Sequence, residues 1–187
     1  MKNRCPWCGD LPIYVDYHDT VWGMPTYDSK DLFAKLILDG AQAGLSWITI
    51  LKKQENYFNA FDGLDPHKMA LYDETKIQEL LQNAGIVRNK LKIRSAVTNA
   101  QAYLEIEKEY GSFSDFLWNF VKNTPIVNSF KTSKDVPTST PESDAMSKAL
   151  KKKGFKFVGT TIVYAFMQAV GMVNDHLVDC HRWKECQ

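Results

Sequence analysis

At 187 residues, 44% hydrophobic and 24% charged, the chain holds enough apolar material for one domain or for two small lobes sharing a core, and it needs no disulfide or metal merely to fold. Its formal net charge of +1 neither demands nor excludes nucleic acid, because a local basic patch suffices to hold phosphates. The composition excludes a disordered chain, no apolar run is long enough to span a bilayer, and Met1 to Asp10 carry no secretory apolar stretch, so a cytoplasmic location without membrane contact is expected.

Helical periodicity dominates, and the predicted fold class is all-α. Four aromatic residues, Trp7, Tyr14, Tyr17 and Trp22, precede the first periodic segment. Asp28 or Ser29 starts a helix that reaches Asp39, with Leu32, Phe33, Leu36 and Ile37 on one stripe. Ser46 is placed to cap a second helix, opened by Trp47 and carrying Ile48, Leu51, Tyr57 and Phe58 inward. Further helices are predicted over 66–71, 74–82, about 89–108, and 113–122. The stretch 124–140 reads as a plain surface connection. Beyond it, Thr140 and Pro141 form an N-cap with proline at the first helical position, and Gly154 closes a helix over 141–153. A buried helix is predicted over 160–170, and only 155–158 carries a weak strand signal. With no repeat or linker, the chain reads as a single unit over 1–187. Two lobes, about 30–125 and 1–29 plus 126–187, are the alternative division.

Four residues suggest a metal. Cys5 and His18 stand near one end of the chain, and His176 and Cys180 stand at i and i+4 near the other, where they would share one face of a helical turn. In a reducing cytoplasm cysteines are metal ligands or plain thiols rather than disulfides. Two Cys and two His with no vacancy suit one tetrahedral, structural Zn2+ per chain; Cys8, His181 and Cys186 are possible substitutes. A second constellation is aromatic. Trp7, Tyr14, Tyr17, Trp22 and Trp47 lie in sequence around one carboxylate, Asp39, and flat electron-rich rings beside an anion suit a flat cationic ligand. The segment 80–88, with Gly85 in a short turn, reads as a helical hairpin whose amides, with Arg88 and Lys90, would meet a phosphate. Positive charge clusters there, at Arg88, Lys90, Lys92 and Arg94, and again at Lys148, Lys151, Lys152, Lys153 and Lys156. Each run taken alone is a solvated helix face.

Several separated blocks then carry a resemblance over essentially the whole length: Tyr17-His18-Asp19 with Trp22-Gly23, the run Gln42-Ala43-Gly44-Leu45-Ser46-Trp47, the run from Gly154 to Thr161, and Asn174-Asp175-His176. With these blocks the sequence resembles the 3-methyladenine-DNA glycosylase I family. The resemblance implies a helix-hairpin-helix architecture with the hairpin at 80–88, and zinc at Cys5, His18, His176 and Cys180. It implies a base pocket of Trp7, Tyr14, Tyr17, Trp22 and Trp47, with an acidic side chain at Asp39. The family pattern has Glu at that position, and Asp is shorter by one methylene. The implied activity is monofunctional removal of 3-methyladenine from double-stranded alkylated DNA, with no lyase step; one DNA site per chain needs no partner, so a monomer is expected. Asp39 and Tyr17 are then expected to bond the adenine edge, and Leu45, raised on a Gly44 turn, to fill the vacated stack. A noncatalytic binder of alkylated DNA is the alternative.

Overall fold

The computed structural model describes residues 2–187, so Met1 alone of the expected unit lies outside the described residues. In chain order the helices are α1 (Pro12–Thr20), α2 (Ser29–Ala41), α3 (Trp47–Leu51), α4 (Gln54–Ala60), α5 (Pro66–Met69), α6 (Glu74–Gln82), α7 (Lys90–Tyr110), α8 (Phe113–Trp118), α9 (Pro141–Lys152), α10 (Thr160–Ala169) and α11 (Arg182–Glu185). The expected all-α class holds. Two strands of two residues each, β1 (Ile126–Val127) and β2 (Val173–Asn174), pair in parallel. None of the described helices is long and apolar enough to cross a membrane.

Helix α2 is central. The Asp28 carboxylate accepts from the amides of Lys30 and Asp31 at 2.9 and 3.0 Å, satisfying donors that a helix start leaves free. Leu32, Phe33, Leu36, Ile37 and Leu38 are buried, and α2 packs against α10, α7, α8 and α3. Because neighbours close on it from several sides, its last turn buries Asp39 as well. Helix α9 starts as the sequence predicts, with Thr140 and Ser143 in a reciprocal capping box and Pro141 at the first position.

Several expectations change. Helix α1 has no amphipathic stripe to betray it, since its buried residues, Tyr17 and His18, are adjacent in sequence. The helix expected from Ser46 breaks at Lys52 and Lys53 into α3 and α4. Ser46 does not cap through its side chain, because its hydroxyl pairs with that of Thr49 at 2.8 Å. The weak strand signal at 155–158 yields no strand: Asn99 brackets Lys156 through both backbone groups, at 2.7 and 3.0 Å, taking the place of a partner strand. Residues 176–180 form a turn closed by Cys180 N and Leu177 O at 2.8 Å, rather than a helical turn.

The two ends of the chain meet at Gly171. Its φ is +70°, and a Cβ there would stand 2.4 Å from Pro25 N and 2.5 Å from the Met24 carbonyl carbon, both backbone atoms that cannot swing aside. Gly171→Ala is expected to cost about 3 kcal/mol or more through strain and overpacking. A chain of this size should then lose roughly 6–12 °C in melting temperature, which calorimetry would read. An unchanged melt would show that the two segments part freely.

Candidate active site and metal centre

Between α1, α2, α3 and α10 lies a cleft of about 430 Å³. The five aromatic residues singled out by sequence all line it, together with Asp39. Trp7 organises the group edge-on, with its ring 5.2 Å from Tyr14, 6.3 Å from Tyr17 and 5.0 Å from Trp22. Tyr17 lies 5.4 Å from Trp47. Edge-to-face packing of this kind holds the rings rigidly and leaves faces for a flat guest. Burial first, then the charge of Asp39, pushes the Tyr17 phenol well above its ordinary value, so at neutral pH it remains a hydrogen-bond donor.

Two carboxylates line the cleft, and their hydrogen bonding separates them. Asp175 accepts from Tyr164 at 2.6 Å, Gln168 at 2.8 Å and Asn128 at 2.7 Å, so its acceptors are engaged in holding the wall. Asp39 is 3% exposed; its Oδ1 accepts from the Lys35 ammonium, and its Oδ2 has no partner among the described residues. The indole N–H groups of Trp7 and Trp47 are likewise buried and without partners. Native interiors seldom leave such atoms unsatisfied, so an acceptor and two donors on three residues that line one cleft mark a place for a polar ligand. Burial raises the Asp39 pKa, and Lys35 opposes that rise.

Behind Trp7 and Trp22, Cys5, His18, His176 and Cys180 converge. All four are buried, with ligand atoms within 4.8 Å of one another. Cys180 Sγ stands 3.5 Å from His18 Nε2 and 3.6 Å from His176 Nδ1, and Cys5 Sγ stands 3.6 Å from His176 Nδ1. The opposite ring nitrogens are anchored: His18 Nδ1 donates to Asp19 at 2.8 Å, and His176 Nε2 donates to the Trp22 carbonyl at 3.0 Å. Such outer bonds turn the free lone pairs inward. Asp19 is in turn gripped by Arg4, whose guanidinium holds its carboxyl well below the usual range. Hydrogen bonding from Cys5, with help from His176 and His18, pushes the Cys180 thiol down, and the same Cys180 contact together with burial pushes the Cys5 thiol up. This group could bind a metal. The substitutes are engaged elsewhere: Cys8 donates to Cys5 O at 3.2 Å, His181 donates to Asn3 O at 2.9 Å, and Cys186 points at Met24.

The hairpin forms between α6 and α7, with Arg88 and Lys90 exposed. Its inner amides are spent internally. Gly85 N donates to Asn83 Oδ1 at 2.8 Å and Val87 N donates to Tyr57 at 3.2 Å, so Arg88, Lys90 and the first turn of α7 are what remains for a phosphate. The basic cluster divides accordingly: Arg94 pairs with Glu74, and Lys92 donates to Ala41 O and Ala43 O at 2.8 and 2.6 Å. Through Lys92, α7 thus holds the C-terminal end of α2 and the turn beyond it. In that turn Gly44 takes φ +77°, and Leu45 is 41% exposed between the cleft residues Gln42 and Trp47.

Sequence reading missed three parts of the cleft. Ser133, Val136, Pro137 and Thr138 form one wall, so the stretch 124–140 is no plain surface connection. Phe130 O accepts from Val178 N at 3.0 Å and Asn128 O accepts from Trp183 Nε1 at 2.7 Å, tethering it to the C-terminal segment; no periodicity could announce such bonds. Thr161, Tyr164 and Gln168 of α10 form the second part. The third is Lys35, one helical turn before Asp39, a spacing visible in the sequence.

A family model described as methyladenine glycosylase matches residues 7–183. The chain is similar to the DNA-3-methyladenine glycosylase of Haemophilus influenzae, at 53% identity over 180 residues that cover 96% of this chain and 97% of the relative. It is similar also to DNA-3-methyladenine glycosylase 1 of Escherichia coli, at 54% identity over 178 residues and 95% of each chain. The structure of 3-methyladenine DNA glycosylase I from Staphylococcus aureus, described as the structural basis of 3-methyladenine recognition, superposes with a TM-score of 0.94 at 43% identity, covering 96% of each chain.

Proposed function

The chain belongs to the methyladenine glycosylase family, and from that premise we infer that it hydrolyses the N-glycosidic bond of 3-methyladenine in alkylated double-stranded DNA. One observation carries the reading: a cleft walled by five aromatic residues in which a buried carboxylate oxygen, Asp39 Oδ2, awaits a donor. A stacked base cannot reach that cleft, so the damaged nucleotide has to leave the duplex, at a cost that lesions lower. Methylation at N3 makes the adenine cationic, and the rings of Trp47 and its neighbours suit a flat cation at about 1–3 kcal/mol of stacking. Asp39 Oδ2 accepts from the adenine edge, and Tyr17 donates to it. Both select the base, with Trp7, Tyr14 and Trp22 shaping the site.

When the C1′–N9 bond breaks, its electron pair passes to the purine and cancels the positive charge, so the base departs neutral with no need of a strong acid. Water adds to C1′ and releases its proton to solvent. No lysine of this chain attacks the sugar, and the enzyme is monofunctional. Leu45 fills the vacated stack, on the turn shaped by Gly44. Arg88, Lys90 and the first turn of α7 hold the backbone, and Gly85 serves by shaping the hairpin that presents them.

The Cys5, His18, His176 and Cys180 group is proposed to hold one structural zinc ion. Tetrahedral zinc with Zn–S of about 2.3 Å and Zn–N of about 2.0–2.1 Å has S···N edges of about 3.6 Å, matching the separations above. Four protein donors would leave no position for a reacting water, so Cys5 and His18 with His176 and Cys180 would, on binding the ion, tie the N-terminal aromatic segment to the C-terminal one, and the ion would supply rigidity rather than chemistry. We place the active enzyme in the cytoplasm as a monomer, one DNA site per chain. The lobe division at about 30 and 125 is kept as a proposal.

Methylated duplex DNA incubated with the protein should yield free base and alkali-labile sites, with strands intact until alkali is added. Tight binding with no alkali-labile sites would instead mark a noncatalytic sensor, and strand breaks before alkali would contradict the monofunctional reading. Leu45→Ala should lower kcat/KM on duplex roughly tenfold, since unstacking costs a few kcal/mol, yet change turnover of a methylated single strand little. Equal losses on both substrates would assign Leu45 to the pocket rather than to the stack.

A further inference from the structure

Resting on that reading of the cleft, the geometry points to Lys35 as a specificity-determining residue: we propose that its ammonium occupies the lesion's cation site in the free protein and must leave before a flipped 3-methylpurine can seat. Its Nζ lies 3.9 Å from the centroid of the Trp47 ring and is bonded to Asp39 Oδ1. These are the two groups proposed to recognise the base, one by its face and one by its charge. The Lys35 side chain lines the cleft and is 14% exposed.

Three consequences follow from charge and space. A purine cannot stack on the part of Trp47 that the ammonium covers. The anion that would draw a cationic base is already neutralised, so the cleft as it stands offers a cation little more than it offers a neutral base of the same shape. A four-carbon side chain on a helix surface has other rotamers, so the ammonium can withdraw from the cleft while α2 stays in place. Displacement exchanges one cation for another on Asp39 and Trp47, and its cost falls on the lesion's binding. The unpartnered Asp39 Oδ2 and Trp47 Nε1 are the contacts the arriving base adds and the lysine does not make.

The test compares a cation with a neutral base of similar outline. Tryptophan fluorescence quenching would be titrated with 3,9-dimethyladeninium, which mimics the N9-substituted charged lesion, and with neutral 3-methyladenine, using the native protein, Lys35→Gln and Lys35→Arg. Glutamine keeps a donor for Asp39 and removes the charge; arginine keeps the charge. Lys35→Gln is expected to bind the dimethyl cation at least tenfold more tightly than the native protein while its affinity for the neutral base changes less than threefold. Lys35→Arg should keep the native preference. Equal or weaker binding of the cation by Lys35→Gln, with neutral-base binding and melting temperature retained, would overturn the proposal while leaving the cleft's function standing. If neither ligand quenches any of the three proteins, the base-pocket reading falls, and this proposal with it.

Discussion

Asp39→Asn is expected to lower kcat/KM for 3-methyladenine release by at least about 100-fold, the scale seen when one preorganised polar group is lost from an active site. Two effects add. The amide cannot offset the base's charge, and Lys35 is left as a buried cation without its partner, on the spot where the lesion's charge has to sit. Breaking a buried pair also costs stability, of order 3–5 kcal/mol, so the variant is to be compared with Asp39→Asn combined with Lys35→Gln. The double variant should recover most of the melting temperature and little of the activity. Recovery of activity along with stability would show that Asp39 serves the fold and not the base. Asp39→Glu is expected to act in the opposite direction. Glutamate reaches about 1 Å or more farther into the cleft, and a gap of that size is worth up to about 100-fold in rate. A rate for Asp39→Glu below that of the native protein would mean that α2 or the base has already shifted to suit the shorter side chain.

The second large effect concerns the metal. Cys180→Ser or His176→Ala is expected to abolish zinc binding, read by elemental analysis of the purified protein, and to destabilise it by about 4 kcal/mol or more, since binding energy at a structural site is folding energy. For a chain of this length that is roughly 8–16 °C in melting temperature. The site closes a loop from Cys5 to Cys180, most of the 187 residues, and its loss frees both walls of the cleft at once. Cys186→Ser and Cys8→Ser should retain zinc, because those thiols face Met24 and the Cys5 carbonyl. Full zinc content in Cys180→Ser would break the ligand assignment.

Much of this site was legible in the sequence because chemistry, unlike backbone path, is written in residue types. Two Cys and two His at the chain ends, and five aromatic residues around Asp39, needed only the fold to bring them together. The long helices were legible for the usual reason, with Asp28 and Thr140 capping where expected and the longest helix starting close to Asn89. What stayed hidden is what long-range contact decides. Helix α1 faces the cleft and the Cys/His cluster on its buried side, so Tyr17 and His18 break the apolar period. The wall at 133–138 is set by bonds from Phe130 and Asn128 to the C-terminal segment. Lys35 was visible as the i−4 neighbour of Asp39, but nothing in the spacing tells a surface lysine from one drawn over Trp47.

The most direct test of the central claim is the initial rate at which the protein releases 3-methyladenine and 7-methylguanine from one preparation of methylated duplex DNA. Both lesions are cationic, and only their edges and methyl positions differ, so charge alone cannot separate them. Release of 3-methyladenine with little or no 7-methylguanine is the predicted result, because Asp39 and Tyr17 are proposed to read the adenine edge. Comparable release of both would reduce the cleft to a site for any cationic base, and release of neither would remove the enzymatic reading altogether.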